Sequence, residues 1–218
     1  KSWSPKMAYV LGFIFADGAI EDVRKSSRTC YLAMSSVDRK LIYQIKTALS
    51  SKHKIYIKKP RIGTFNDGKS YLCSEAFILR IGSKKIYEDL TKLRLTPRKS
   101  LTLQLPSISN EYFSFFLRGY FDGDGCVTVR IPRGRNSSIV QVVFTSGSYK
   151  FLKSISRKLK QLLTLNLKKI YSTSNSHYLK YKKRESMKIL SFMYADLDKA
   201  PYLERKYKIY QNIISNIH

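Results

Sequence analysis

Apolar residues form two nearly continuous runs along this chain, over residues 7–16 and 113–121. A serine precedes each run, as is common at helix N-termini, and each run is followed by aspartate and glycine. Such runs are typical of helices that are buried on most sides. The pattern therefore predicts two core helices that end near Asp17 and Asp124.

Glycine occurs inside both predicted helices, at Gly12 and Gly119, with other small residues four positions away. Glycine within a helix costs roughly 0.5–1 kcal/mol relative to alanine, and close approach of two backbones is a common compensation. We therefore expect the two helices to pack against each other at these glycines. Asp17 and Asp124 would then emerge together at helix C-termini, where a divalent cation would relieve the repulsion between negative charges.

Outside these helices, short segments of alternating polarity predict strands, and each half of the chain reads as α-β-β-α-β-β-α. Residues 34–49 resemble residues 144–159 at an offset of 110, and residues 79–81 resemble residues 179–181 at an offset of 100. The two aspartates differ by 107 positions. The repeats predict an α+β fold of duplicated half-domains with pseudo-two-fold symmetry. The predicted division is residues 1–100, a linker at 101–108, and residues 109–218.

The segment at 126–131 illustrates the expected character of the sheets. Val127, Val129 and Ile131 alternate with Thr128 and Arg130, so that apolar and polar side chains point to opposite faces. We expect one face to pack on helices and the other to meet a ligand.

The chain carries 41 basic and 15 acidic residues, a net charge of +26, which favours a polyanionic partner. The basic residues are spread along the chain among 16 tyrosines, as expected for a folded surface that binds duplex nucleic acid rather than for a membrane-surface helix. Neither apolar run is long enough to span a bilayer. Three widely spaced cysteines give neither a disulfide framework nor a zinc motif, which favours a reducing, intracellular location, cytoplasmic or in an organellar matrix.

The two helical segments resemble the signature helix of the LAGLIDADG homing endonucleases, in the monomeric form that carries two motifs in one chain. The first segment has Phe15 in place of the family's first acid and keeps the second acid as Asp17, whereas the second segment keeps both, as Asp122 and Asp124. The resemblance implies that the motif helices pack together and that the antiparallel sheets form a saddle over the DNA major groove.

It further implies a site-specific endonuclease that hydrolyses both strands of a long, asymmetric double-stranded DNA target and promotes intron homing. Asp17 and Asp124 would be catalytic and would bind Mg²⁺ with the carbonyls of Ala16 and Gly123. Mn²⁺ is an alternative ion, and Ca²⁺ is expected to support binding with little cleavage. The enzyme is expected to act as a monomer, without a protein partner or a membrane.

Basic residues next to the acids should assist catalysis, and Arg80 and Lys180 are the candidates because they lie in equivalent strands. The candidates for DNA binding lie in or beside the predicted strands: Arg24, Arg28, Lys58, Arg61, Arg130, Arg133, Arg135, Lys180 and Lys182. Two other functions stay open, an RNA maturase that assists intron splicing and a catalytically silent DNA-binding regulator. The acids in both motifs favour the nuclease, because neither alternative needs them for chemistry.

Overall fold

A computed structural model describes residues 3–21, 29–64, 68–130 and 138–215 of the chain. The elements of its first half are α1 (Pro5–Asp17), β1 (Ala19–Ile20), β2 (Tyr31–Ser36), α2 (Arg39–Ala48), β3 (Ile55–Lys58), β4 (Arg61–Thr64), β5 (Ser70–Cys73), β6 (Ala76–Gly82) and α3 (Lys84–Lys92). A 3₁₀ turn, Lys99–Leu101, precedes the second half. Its elements are α4 (Asn110–Asp124), β7 (Gly125–Arg130), β8 (Ile139–Ser146), α5 (Tyr149–Leu163), β9 (Ile170–Ser172), β10 (His177–Lys182), α6 (Arg184–Tyr194) and α7 (Glu204–Ser215).

The start of α1 follows from its capping residues. The Ser4 hydroxyl accepts a hydrogen bond from the Met7 backbone N–H at 3.3 Å, and proline occupies the first turn. Proline is tolerated there because that N–H has no partner within the helix. Asp38 and Ser148 cap α2 and α5 in the same way, so short polar side chains fix these helix starts.

Each half contributes one four-stranded antiparallel sheet, and the two sheets have the same topology. Their strand orders are β1-β2-β6-β3 and β7-β8-β10-β9. In the first sheet Met34 lies opposite Leu79, and in the second Phe144 lies opposite Leu179. These pairs are the ones related by the sequence offsets of 110 and 100, so the predicted α+β fold with duplicated half-domains is confirmed.

The first half departs from the predicted element order. The predicted α-β-β-α-β-β-α order places two strands between α2 and α3, but β3 ends at Lys58, and Arg61 starts β4, which pairs with β5 in a separate two-stranded ribbon. Pro60 lies at the break, where its missing N–H prevents a continuous ladder. The predicted apolar face of β7 is also incomplete, because Val127 is buried whereas Val129 is exposed, and Ile131 lies outside the described residues.

Helices α1 and α4 pack directly on each other in the centre of the fold. A methyl group on Gly12 would overlap the Phe116 carbonyl oxygen, and one on Gly119 would overlap the Tyr9 carbonyl oxygen. Each residue of the first pair is 107 positions from its counterpart in the second, so the crossing is pseudo-symmetric. The close packing of the motif helices at these glycines is therefore confirmed.

Within the described ranges, no helix combines the length and apolar character needed to cross a membrane. Cys30, Cys73 and Cys126 are all free thiols, and only Cys30 is buried. This agrees with the absence of a disulfide framework in the sequence pattern.

Candidate active site

The two signature aspartates are the last residues of the central helices. Asp17 ends α1, where the Gly18 N–H donates to the Ile14 carbonyl at 3.0 Å, and Asp124 ends α4. A methyl group on Gly123 would lie 2.9 Å from Asp17 Oδ2, so the Asp17 carboxylate lies against the end of the neighbouring helix. The helix crossing thus brings the two acids to one end of the interface.

A cavity of about 220 Å³ opens beside these acids. Its lining residues come from α1, α4, the 3₁₀ turn and the end of β8: Phe15, Ala16, Lys99, Ser100, Leu103, Tyr120, Asp124, Thr145, Ser146 and Gly147. The Tyr120 hydroxyl donates to the Thr145 carbonyl at 2.6 Å, which fixes the aromatic ring at the cavity wall. The cavity therefore combines a carboxylate, an ammonium group and a hydroxyl.

The electrostatics of the acids reflect their crowding. The pKa of Asp124 is raised to about 6 by burial and, second, by the Asp17 charge, while Lys99 and Lys206 act in the opposite direction. Burial also raises the pKa of Asp17, against the same two lysines. The folded protein without a bound cation thus disfavours having both carboxylates ionised, as the sequence predicted for acids at adjacent helix C-termini.

Lys99 is the first of two lysines that act on these acids. Its Nζ donates a hydrogen bond to the Ala16 carbonyl oxygen at 2.9 Å, next to Asp17 at the end of α1. Burial lowers the pKa of Lys99, whereas the charges of Asp124 and Asp17 raise it. The 3₁₀ turn therefore places an ammonium group at the wall of the cavity, where it interacts with the charges of both carboxylates.

Lys206, from α7, occupies the end of the other helix. Its Nζ donates to the carbonyl oxygens of Phe121, Asp122 and Gly125, at 2.5, 3.0 and 2.6 Å. The side chain is buried, and burial lowers its pKa to about 8. A cation here satisfies carbonyls that a helix C-terminus leaves without partners.

Sequence reasoning missed both lysines, although a signal was present. Lys99 and Lys206 are 107 positions apart, which is the separation of Asp17 and Asp124. Each follows an arginine, but neither lies in a strand, whereas the predicted basic residues lie in or beside the predicted strands.

The first acid of the α4 motif, Asp122, has a structural role. Asp122 is buried, and its Oδ2 accepts hydrogen bonds from the Tyr9 hydroxyl at 2.6 Å and from the Leu203 N–H at 2.8 Å. Burial raises its pKa to about 6. Phe15, the equivalent residue of α1, packs instead against aromatic rings including Phe116. The two half-sites therefore differ in their supporting residues.

The basic residues predicted to assist catalysis have other partners in the structure. Arg80 forms a 2.7 Å ion pair with Glu21, and its guanidinium lies 3.6 Å from the centre of the Tyr31 ring. Lys180 Nζ lies 5.4 Å from the Tyr171 and Tyr178 ring centres. Within the described part of the chain, neither side chain hydrogen bonds to Asp17 or Asp124.

Of the other predicted DNA-binding residues, Lys58, Arg61, Arg130 and Lys182 are exposed on strands. In β10, Lys180 and Lys182 alternate with the buried Leu179 and Tyr181, which places both lysines on the outward face of the sheet. Four further candidates lie outside the described residues: Arg24, Arg28, Arg133 and Arg135.

The donor set at the helix ends suits a hard divalent cation. Asp17 and Asp124 offer carboxylates, and the Ala16 carbonyl already accepts a hydrogen bond from an ammonium group. Oxygen ligands of this kind suit Mg²⁺ and Ca²⁺, and Mg²⁺ commonly uses one or two carboxylates together with water and phosphate oxygens. No group of three or more His, Cys, Asp or Glu side chains that could hold a metal occurs in the described ranges, so water and phosphate would have to complete the coordination.

Comparisons with known proteins agree with this geometry. Residues 117–217 match the family model of the LAGLIDADG endonucleases. The structure of the LAGLIDADG meganuclease I-AabMI bound to uncleaved DNA matches 98% of this chain and 90% of its own, with a TM-score of 0.58 and 18% identity. That of I-CpaMI bound to uncleaved DNA matches 99% of this chain and 92% of its own, at the same TM-score and identity.

I-SmaMI bound to an uncleaved DNA target in the presence of calcium ions matches 89% of this chain and 85% of its own, with a TM-score of 0.53 and 15% identity. A search of curated protein sequences gave no match. At these identities the structural matches establish the fold.

Proposed function

We propose that this chain, a member of the LAGLIDADG endonuclease family through its residues 117–217 and a LAGLIDADG meganuclease in fold, is a metal-dependent endonuclease that cuts both strands of double-stranded DNA. The observation that carries the proposal is the pair of desolvated carboxylates at the ends of two pseudo-symmetric helices. Such a site is unfavourable for the fold alone, because burial raises the pKa of both acids and the Asp17 charge also raises that of Asp124. A bound divalent cation would offset the cost of holding the two carboxylates together and would explain why the site retains them.

Asp17 and Asp124 would bind Mg²⁺, with the carbonyls of Ala16 and Gly123 as further ligands. When bound, Mg²⁺ activates water and stabilises the attacking and leaving oxygens of a phosphodiester. Lys99 holds its ammonium group beside both carboxylates and can donate its other N–H groups to a phosphate oxygen. Lys206 donates hydrogen bonds to three carbonyls at the end of α4, and these bonds hold the backbone on both sides of Asp124 in place.

The outward faces of the two sheets are the proposed DNA-binding surface. Arg80 and Lys180 lie in equivalent strands of these sheets, and we assign them to DNA contacts, leaving the catalytic role to Lys99. Arginine and lysine can read guanine in the major groove or bind phosphates. The remaining described contacts are Lys58, Arg61, Arg130 and Lys182, with Arg24, Arg28, Arg133 and Arg135 proposed from the sequence.

One chain supplies both half-sites, so we propose that a monomer is the active form, with half-domains at residues 1–100 and 109–218. Because the halves differ in sequence, the preferred target is asymmetric, as expected for an enzyme that promotes homing. The I-SmaMI complex with uncleaved DNA and calcium ions supports the use of Ca²⁺ to capture this chain on DNA without cleavage.

The experiment that tests this function selects cleavable sites from a randomised duplex library in the presence of Mg²⁺. A nuclease enriches one long, asymmetric motif with both strands cut. A silent DNA-binding regulator would enrich bound but intact duplexes, and a maturase without nuclease activity would leave the library uncut. Either of these outcomes would contradict the proposal.

A further inference from the structure

A second basic surface lies on the outer side of α5. A concavity of about 440 Å³, here called the α5 pocket, is lined by Arg94, Gln104, Leu105, Lys150, Lys153, Ser154 and Arg157. Four of these seven residues are cationic, and none is acidic. The pocket shares no lining residue with the cavity beside Asp124.

The α5 pocket faces away from the proposed DNA-binding sheets. Lys150, Lys153 and Arg157 recur along α5 at spacings of three and four residues and are exposed, so they form one stripe. The buried residues Phe151 and Ile155 lie on the opposite side of the helix, which packs against the second sheet. DNA on the outward face of that sheet would therefore be separated from the pocket by both the sheet and the helix.

The charges in this stripe oppose folding rather than assist it. Like charges three or four residues apart destabilise a helix by roughly 0.2–0.5 kcal/mol per pair, and α5 contains no acidic residue to offset them. In the described ranges, no ion pair neutralises the four cations of the pocket. Lys40, the equivalent of Lys150 in the first half, does have a counter-ion, because Glu204 contacts its Nζ at 3.0 Å. Of these two equivalent lysines, Lys40 has an acidic partner, whereas Lys150 has none within the described ranges.

Arg94 adds an independent observation. It has a φ of 65° at the end of α3, a left-handed conformation in which glycine is the usual residue. Its guanidinium donates to Gln104 Oε1 at 2.8 Å, which holds the side chain at the pocket wall. An oriented arginine beside three flexible cations is an arrangement suited to phosphate oxygens.

We propose that the α5 pocket binds the phosphodiester backbone of a second nucleic-acid segment while the target duplex lies on the sheets. The lining contains no aromatic ring on which a base could stack, so recognition is of phosphate and is independent of sequence. The second segment could be RNA or a distant part of the DNA, since both present the same phosphate groups. The proposal concerns binding only and does not depend on cleavage.

The test uses the full chain saturated with its unlabelled target duplex in Ca²⁺. A labelled RNA hairpin or a labelled duplex of unrelated sequence is then added, and its affinity is measured by fluorescence anisotropy across a salt series, with inorganic phosphate as a competitor. The pocket variant is Lys150→Gln/Lys153→Gln/Arg157→Gln. The matched control, Lys6→Gln/Lys84→Gln/Lys188→Gln, removes three exposed lysines outside the pocket.

The pocket variant should bind the second nucleic acid about tenfold more weakly, with a log-log salt slope smaller by about two to three units. The control variant should stay within about twofold of wild type, and both variants should keep wild-type affinity for the target. The two labelled probes distinguish RNA from DNA as the second nucleic acid. Displacement of the probe by a low concentration of inorganic phosphate would identify a site for free phosphate instead, and would overturn the proposal. Equal losses in the two variants, no loss in the pocket variant, or weaker target binding in that variant alone would also overturn it.

Discussion

The central helix crossing gives the sharpest stability prediction, through Gly119→Ala. The new methyl group would overlap the Tyr9 carbonyl oxygen and lie 2.9 Å from the Phe13 backbone nitrogen. Both atoms belong to the backbone of α1, so the overlap can be removed only if α1 and α4 move apart. Overpacking costs about 1–3 kcal/mol, and this site belongs at the upper end, whereas replacing glycine in a helix returns roughly 0.5–1 kcal/mol. The expected net loss in the free energy of unfolding is about 2 kcal/mol.

Urea unfolding at fixed pH measures this loss, and the midpoint of thermal unfolding should fall by about 4–8 °C for a chain of this size. Lys6→Ala, at an exposed position of α1, is the control and should change stability by less than about 0.5 kcal/mol.

Gly12→Ala should cost about as much as Gly119→Ala, because it meets the pseudo-symmetric carbonyl of Phe116. Combining the two should cost less than their sum, since one methyl already separates the helices. A Gly119→Ala protein as stable as wild type, or strict additivity of the pair, would refute this account of the crossing.

The remaining predictions concern the site and the binding of the target. Because the pKa of Asp124 is raised to about 6 in the folded protein, this group favours folding below about pH 4, and its contribution is lost as pH rises through 6. Asp124→Asn should therefore flatten the pH dependence of the free energy of unfolding measured in urea, leaving the part due to Asp122. An unchanged pH dependence would contradict this prediction. The Mg²⁺ concentration for half-maximal cleavage should rise below pH 6. Lys99→Met should slow cleavage at unchanged stability. Lys206→Met should cost about 2–4 kcal/mol in urea unfolding, because three carbonyls at the end of α4 lose the hydrogen bonds that Lys206 donates. The reverse ranking would exchange the roles of the two lysines. Target affinity should fall with salt at a log-log slope of about −0.9 per phosphate neutralised, and salt-independent binding would remove the electrostatic argument.

The sequence was most informative where one physical constraint acts along a single segment. The two apolar runs predicted α1 and α4 and their ends at Asp17 and Asp124, and the glycines at 12 and 119 predicted the helix crossing. The offsets of 110 and 100 predicted which residues of the first half correspond to residues of the second, and equivalent residues are paired in the two sheets. These features are local or repeated, so each leaves a visible pattern.

Features that depend on distant contacts were not visible in the same way. Lys206 acts on the end of α4 from more than 80 positions away, and nothing in its own neighbourhood marks it as buried. The role of Asp122 is set by Tyr9 and Leu203, which are distant in sequence and contact it only in the folded chain. Arg80 was predicted to be catalytic from strand equivalence, but Glu21 and Tyr31 hold it on the face of the sheet.

The most direct test of the central claim is cleavage of a supercoiled plasmid that carries the selected site. Wild type, Asp17→Asn and Asp124→Asn are compared in Mg²⁺, with binding measured in parallel in Ca²⁺. Each substitution removes one metal ligand without leaving a cavity, so both variants should bind the site as wild type does. Cleavage should fall by orders of magnitude, because metal stabilisation worth several kcal/mol is lost and each 1.36 kcal/mol is tenfold in rate. Double-strand cleavage at the wild-type rate by either variant would contradict the shared metal site at the ends of α1 and α4.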